Sequence, residues 1–150
     1  MPVSIVTPVL AAGFLPMFVP ETSPATTRDS ARAWASAYVS YVVAGGIPAA
    51  SAKQDAFAAA LETAFNPNLG GAGPSLFLSA MNVFWLLLPV PAQVGAVSLF
   101  IPTSPNVNSP QPPDATPQQQ ANGLAQVIAG LTLGAVKVQP FVPGPPVPLV

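Results

Sequence analysis

A chain of 150 residues, 51% of them apolar, can bury one sizeable core, yet only 6% of its residues are charged and its formal net charge is -1. An ordinary soluble domain carries about 25% charged residues, so what sets this chain apart is missing charge more than added apolar content. Four basic residues spread along the whole length give no cationic stripe for nucleic acid, and the absence of Cys and His removes disulfides, thiolate chemistry and the usual zinc sites.

Residues 1–26 alternate proline with apolar residues. Proline fixes φ and removes amide donors, so an extended arm that orders only by lying on something is expected here. The segment superficially resembles a secretory leader, but it lacks a basic start, and Pro8, Pro16 and Pro20 interrupt its apolar run. The next stretch, TRDSARAWASAYVSYVVAGG, places Ala31, Trp34, Tyr38, Tyr41 and Val42 at helical spacing, with Arg28, Arg32, Ser36 and Ser40 on the other side. Asp29 can pair with Arg32 one turn on. Gly45, Gly46 and Pro48 stop this helix.

A second helix is expected from SAKQ, with Ser51 as cap and Gln54 three residues later completing a capping-box pattern. Phe57, Leu61, Ala64 and Phe65 line its apolar face, and Asp55 and Glu62 the opposite one. NLGGAGP is a turn. It has neither the lysine of a phosphate loop nor the strand-to-helix setting of a dinucleotide site. A third helix follows from Pro74 or Ser75 to Leu88, apolar nearly all round except for a narrow stripe of Ser75, Ser79 and Asn82. So wide an apolar surface suggests the central helix of a core, with its end around Phe84 to Leu88 covered by a neighbouring chain.

VGAVSLFI, residues 94–101, reads as a short buried strand. Residues 102–117 carry six prolines and form a loop. Thr116, Pro117 and Gln119 then supply a cap, a proline at the first helical position and a capping-box partner. This fourth helix should run to about Ala129 with Leu124, Val127, Ile128 and Leu131 inward, before LTLGAVKV forms a second strand. The tail PFVPGPPVPLV has five prolines and no charge, and fits a groove on this chain or on another.

The expected fold class is therefore mainly α with minor β (α+β): three to four short helices, one or two short strands, and proline-rich extended arms at both ends. The expected organisation is an N-terminal arm over 1–26, a compact helical domain over 27–139 containing the loop 102–117, and a C-terminal tail over 140–150.

No catalytic set emerges. General acid–base chemistry most often uses His, which is absent, and Asp55 and Glu62 lie two turns apart on a face read as solvated. A serine nucleophile would need Lys53 or Lys137 from unrelated segments, and no carboxylates cluster for calcium or magnesium. Catalytic, cofactor-binding and metal-ligating residues are therefore each expected to be none, and no cofactor is assigned. Trp34, Tyr38, Tyr41, Phe84 and Trp85 can pack as a core between two helices. The same residues, with Leu86 and Phe141, are candidates for an interface between chains, because aromatic side chains are enriched where chains meet.

A bilayer span needs about 20 apolar residues, whereas Ser75 to Leu88 gives 14, and no flanking basic residues set an orientation. A membrane span is thus disfavoured, and a surface-lying or re-entrant segment is the alternative. A subunit of a large assembly accounts for the few charges, the apolar ends and the lack of a catalytic set together, since obligate interfaces resemble a core cut in half. The segments AWASAYVSYVVAGG, QDAFAAALETAF and SAMNVFWLLLPVP, across about residues 30–91, give the chain a layout that resembles small structural proteins of tailed bacteriophage virions. The resemblance implies a many-copy virion component, in capsid, neck or tail, whose partners are copies of itself and other virion structural proteins, with no specific nucleic acid. A hydrophobic protein associated with a membrane is the alternative.

Overall fold

The computed structural model describes residues 7–66, 73–93, 95–100, 115–141 and 144–149. Within these it is mainly helical with a small antiparallel sheet, as expected, but with five helices and four strands. The helices are α1 (Thr7–Phe18), α2 (Thr27–Ala44), α3 (Gln54–Ala64), α4 (Gly73–Trp85) and α5 (Pro117–Ala135). The strands are β1 (Pro89–Val90), β2 (Gly95–Phe100), β3 (Val136–Pro140) and β4 (Val147–Pro148), in the order β1-β2-β3-β4.

The first correction is α1, which replaces residues 7–18 of the extended arm expected over 1–26. Residues 1–6 lie outside the described part. Pro8 falls in the first turn, where its missing amide costs nothing. Pro16 lies two residues from the end, so little helix follows it to be disrupted. A proline deep inside a helix costs about 3 kcal/mol, and fully burying a large apolar side chain returns about 1.5–3 kcal/mol. Leu10 and Phe14 are both fully buried, so packing outweighs the proline. Gly13 permits the approach to α2, because a Cβ there would sit 2.6 Å from the Cβ of Ala37.

The central helix is α2, not α4. It packs against both α1 and α3 and buries Ala31, Trp34, Ala35, Ala37, Tyr38, Val39, Tyr41 and Val42. Thr26 caps its start by accepting from the amide of Asp29 at 3.0 Å, and Gly46 at φ +99° carries the chain away from its end, a left-handed conformation that suits glycine. The start expected at Ser51 is displaced. Pro48 opens a 3-10 turn over Pro48–Lys53, and α3 follows at Gln54 with Lys53 as its uncapped N-cap. The capping box on α5 forms as expected, with Gln119 N donating to Thr116 Oγ1 at 3.2 Å and Thr116 N to Gln119 Oε1 at 2.9 Å.

Two boundaries move. α5 runs on to Ala135, so LTLGA is helical and β3 begins only at Val136. Its buried face is Ala121, Ala125, Ile128, Ala129, Thr132 and Ala135, while Leu124 and Leu131 are only partly buried. A face made largely of alanines lets α1 lie close against α5, and these two helices pack extensively. α4 ends at Trp85 rather than Leu88, because the next residues turn to meet the sheet: Leu87 N donates to Val97 O at 2.9 Å, and Val97 N to Leu88 O at 2.8 Å.

The sheet is a meander. β2 pairs with β3 through Val97 opposite Val138, with a register shift between Val97 and Leu99. A Cβ on Gly95 would lie 2.5 Å from Gln139 O, so only glycine fits beside β3 there. The C-terminal tail docks on its own domain, with Val147 opposite Val138, Leu149 N donating to Val136 O at 3.2 Å and Leu149 buried. Gln93 Nε2 donates to Pro148 O at 3.0 Å and pins the tail further. The packed unit thus reaches beyond 27–139 at both ends. Most of the expected loop, residues 102–114, lies outside the described part.

Candidate functional site

Spacing along α2 brings Trp34, Tyr38 and Tyr41 onto its buried face, one turn apart. Around them close Phe14 from α1, Phe57 from α3, and Phe77, Phe84 and Trp85 from α4. Ring centroids lie 5.1 Å apart for Phe14 and Trp34, 5.5 Å for Trp34 and Tyr38, 5.4 Å for Tyr38 and Phe84, and 4.8 Å for Phe57 and Phe84. Most of these pairs are tilted or edge-to-face, the arrangements that an aromatic quadrupole favours.

Tyr38 is the polar hub of this cluster. Trp85 Nε1 donates to the Tyr38 hydroxyl at 3.0 Å, and that hydroxyl in turn meets Thr132 Oγ1. Thr132 Oγ1 donates its own proton to Ile128 O at 2.9 Å, so Tyr38 must be the donor to Thr132. Every buried polar atom in the chain Trp85, Tyr38, Thr132, Ile128 is therefore satisfied. The relay ends on a backbone carbonyl and ties α2, α4 and α5 together. Burial pushes the Tyr38 phenol far above the ordinary tyrosine value, and a neutral hydroxyl is what the relay requires. Thr132 was missed in the sequence because LTLGAVKV reads as a strand.

Tyr41, one turn on, differs. Its ring is fully buried, its phenol is also pushed up by burial, and among the described residues its hydroxyl has no hydrogen-bond partner.

Five of the seven interface candidates, Trp34, Tyr38, Tyr41, Phe84 and Trp85, lie buried inside the chain's own core. Leu86 and Phe141 do reach the surface, at 45% and 69% exposure. Exposed beside Leu86 are Leu87, at 72% and within the stretch Phe84 to Leu88 expected to meet a neighbour, and Val83, at 50%, which lies outside it. These three form an apolar corner where α4 ends. Leu87 sits at φ +61°, a left-handed conformation that costs a non-glycine residue roughly 1–2 kcal/mol. Lys53 Nζ closes the corner from the α3 side by donating to Leu86 O at 3.2 Å, which satisfies a carbonyl at the helix end.

The charges gather elsewhere. Arg28 and Arg32 of α2 face Gln54, Asp55 and Glu62 of α3 across a groove of about 440 Å³ floored by Ala58 and Ala59. Asp29 does not pair with Arg32; among the described residues none of these charges has an ion-pair partner. Asp55 and Glu62 both face solvent. The described residues contain no group of three acidic side chains able to hold a metal, and none of their helices is long and apolar enough to cross a membrane. Comparison with protein-family models, with curated proteins and with solved structures finds no match.

Proposed function

We propose that this chain is a non-enzymatic structural subunit of a large protein assembly, a bacteriophage virion being the assembly that its sequence layout suggests. Its partners are then copies of itself and other structural proteins of the particle. The observation that carries this reading is the corner of Val83, Leu86 and Leu87. Among the described residues the chain covers most of its other large apolar side chains, Val9 and Phe141 excepted, yet holds an exposed leucine in a left-handed backbone conformation at this helix end. The Leu87 backbone is used internally, its amide donating to Val97 O, but its side chain lies exposed beside Val83 and Leu86, an apolar patch of the kind that marks contact with another chain. The low charge gives the same indication, since a free monomer uses net charge to resist self-association.

The test is the size and composition of the native complex. Co-purification in a large symmetric particle, lost when Leu86 and Leu87 are both changed to Ser, is the expected outcome. A native protein recovered as a free monomer, or recovered only with lipid and detergent, would contradict it and in the second case favour a chain lying on a bilayer.

A further inference from the structure

Resting on the structural-subunit reading, we infer that the groove between α2 and α3 is a two-fold contact between copies of this chain. Four of the nine charges in the sequence line it. Arg28 and Arg32, one turn apart, form a positive ridge on α2; Asp55 and Glu62, two turns apart, form a negative ridge on α3. A chain with so few charges gains little from setting four of them face to face without pairing them. The quartet is neutral in sum, so it adds nothing to solubility through net charge. What the arrangement does provide is self-complementarity. A two-fold axis running along the groove carries each positive ridge onto the negative ridge of the other copy, so that Arg28 and Arg32 of each meet Asp55 and Glu62 of its partner. Such an isologous pairing closes on itself.

The surroundings suit close approach. The exposed positions beside the ridges are Asp29, Ser36, Ser40 and Ala44 on α2 and Ala56, Ala59 and Thr63 on α3; Asp29, between the two arginines, is not among the residues that line the groove, and the others are small. α2 and α3 side by side present a face about 27 Å long and 20 Å wide. That is about 500 Å² from each copy, near the lower limit of roughly 1,000 Å² in total for a specific interface. A weak, salt-sensitive dimer is the consequence, because pairs between partly exposed charges are screened over about 10 Å at 0.1 M salt.

Sedimentation of the full chain carrying Leu86→Ser and Leu87→Ser separates this contact from the apolar corner. In 50 mM salt this parent should sediment at twice the 15.2 kDa chain mass, and 1 M salt should weaken its dimer at least tenfold. Arg28→Glu with Arg32→Glu should give monomer, as should Asp55→Lys with Glu62→Lys, each with unchanged helical circular dichroism. An equal mixture of the two should restore the dimer. A monomeric parent, salt-independent association, reversal variants that dimerise like the parent, or a mixture that stays monomeric would each overturn the groove contact. None of these would touch the assembly reading, which fails instead if the unaltered chain is itself a monomer in its native setting.

Discussion

Trp85 and Leu87 stand two residues apart at the end of α4 and live in opposite environments. Trp85 is fully buried, ringed by Tyr38 and Phe84, with its indole nitrogen hydrogen-bonded. Leu87 is 72% exposed in a left-handed backbone conformation. The apolar content of this helix thus divides sharply into a part that makes the fold and a part that the fold does not use. One side is built so that every aromatic of α4 has a partner within the chain. The other side leaves Val83, Leu86 and Leu87 exposed, the surface that the proposed assembly would cover.

That contrast can be broken from either side. The largest effect should come from Trp85→Glu, which places an uncompensated charge in the aromatic centre and removes the donor to Tyr38. Burying an unpaired charge costs many kcal/mol, so cooperative melting should be lost altogether. Tyr38→Phe is milder. It strands the Trp85 indole and leaves Thr132 without its donor, at about 1–3 kcal/mol for an unsatisfied buried group, measurable by urea denaturation. Tyr41→Phe removes a buried hydroxyl that has no partner among the described residues, and the same reasoning predicts a neutral change or a gain of about 1 kcal/mol. The two tyrosines lie one turn apart on one helix, so opposite signs for the same substitution test the hydrogen-bond assignment directly.

Their shared burial has a pH signature. Both phenols have raised pKa values in the folded state, Tyr38 and Tyr41 alike through desolvation. Above pH 10, the ordinary tyrosine value, the unfolded chain loses protons that the native chain keeps, so the unfolded state is favoured. Stability contributed by the neutral phenols is therefore fully present below pH 10 and declines as pH climbs beyond it. Tyr38→Phe together with Tyr41→Phe should flatten that decline. The smallest effect on the fold belongs to Leu87→Gly, which relieves the left-handed strain and should raise stability by about 1 kcal/mol while weakening assembly.

Much of the core could be read directly. The helical spacing of Trp34, Tyr38 and Tyr41 and the capping residues Thr116, Pro117 and Gln119 state their roles locally, and local physics decides them. α1 was not legible, because Pro8 and Pro16 argue against a helix until Leu10 and Phe14 are seen buried between α2 and α5. Thr132 was misread for the same reason. Its segment has strand character, and the contact that gives it a role is with Tyr38, 94 residues away. The apolar corner was half legible. Leu86 could be chosen from its place past Trp85, but the exposure of Val83 and Leu87 depends on how α4 turns into the sheet, and no spacing rule encodes that.

The measurement that tests the division most directly is a paired one on Leu86→Ser with Leu87→Ser: the melting temperature of the chain, and the mass of its native complex. The expected result is a melting temperature equal to or above that of the unaltered chain, with the large complex reduced to small species. A complex of unchanged mass, or a chain that unfolds, would contradict the claim that the corner of α4 serves a partner and not the fold.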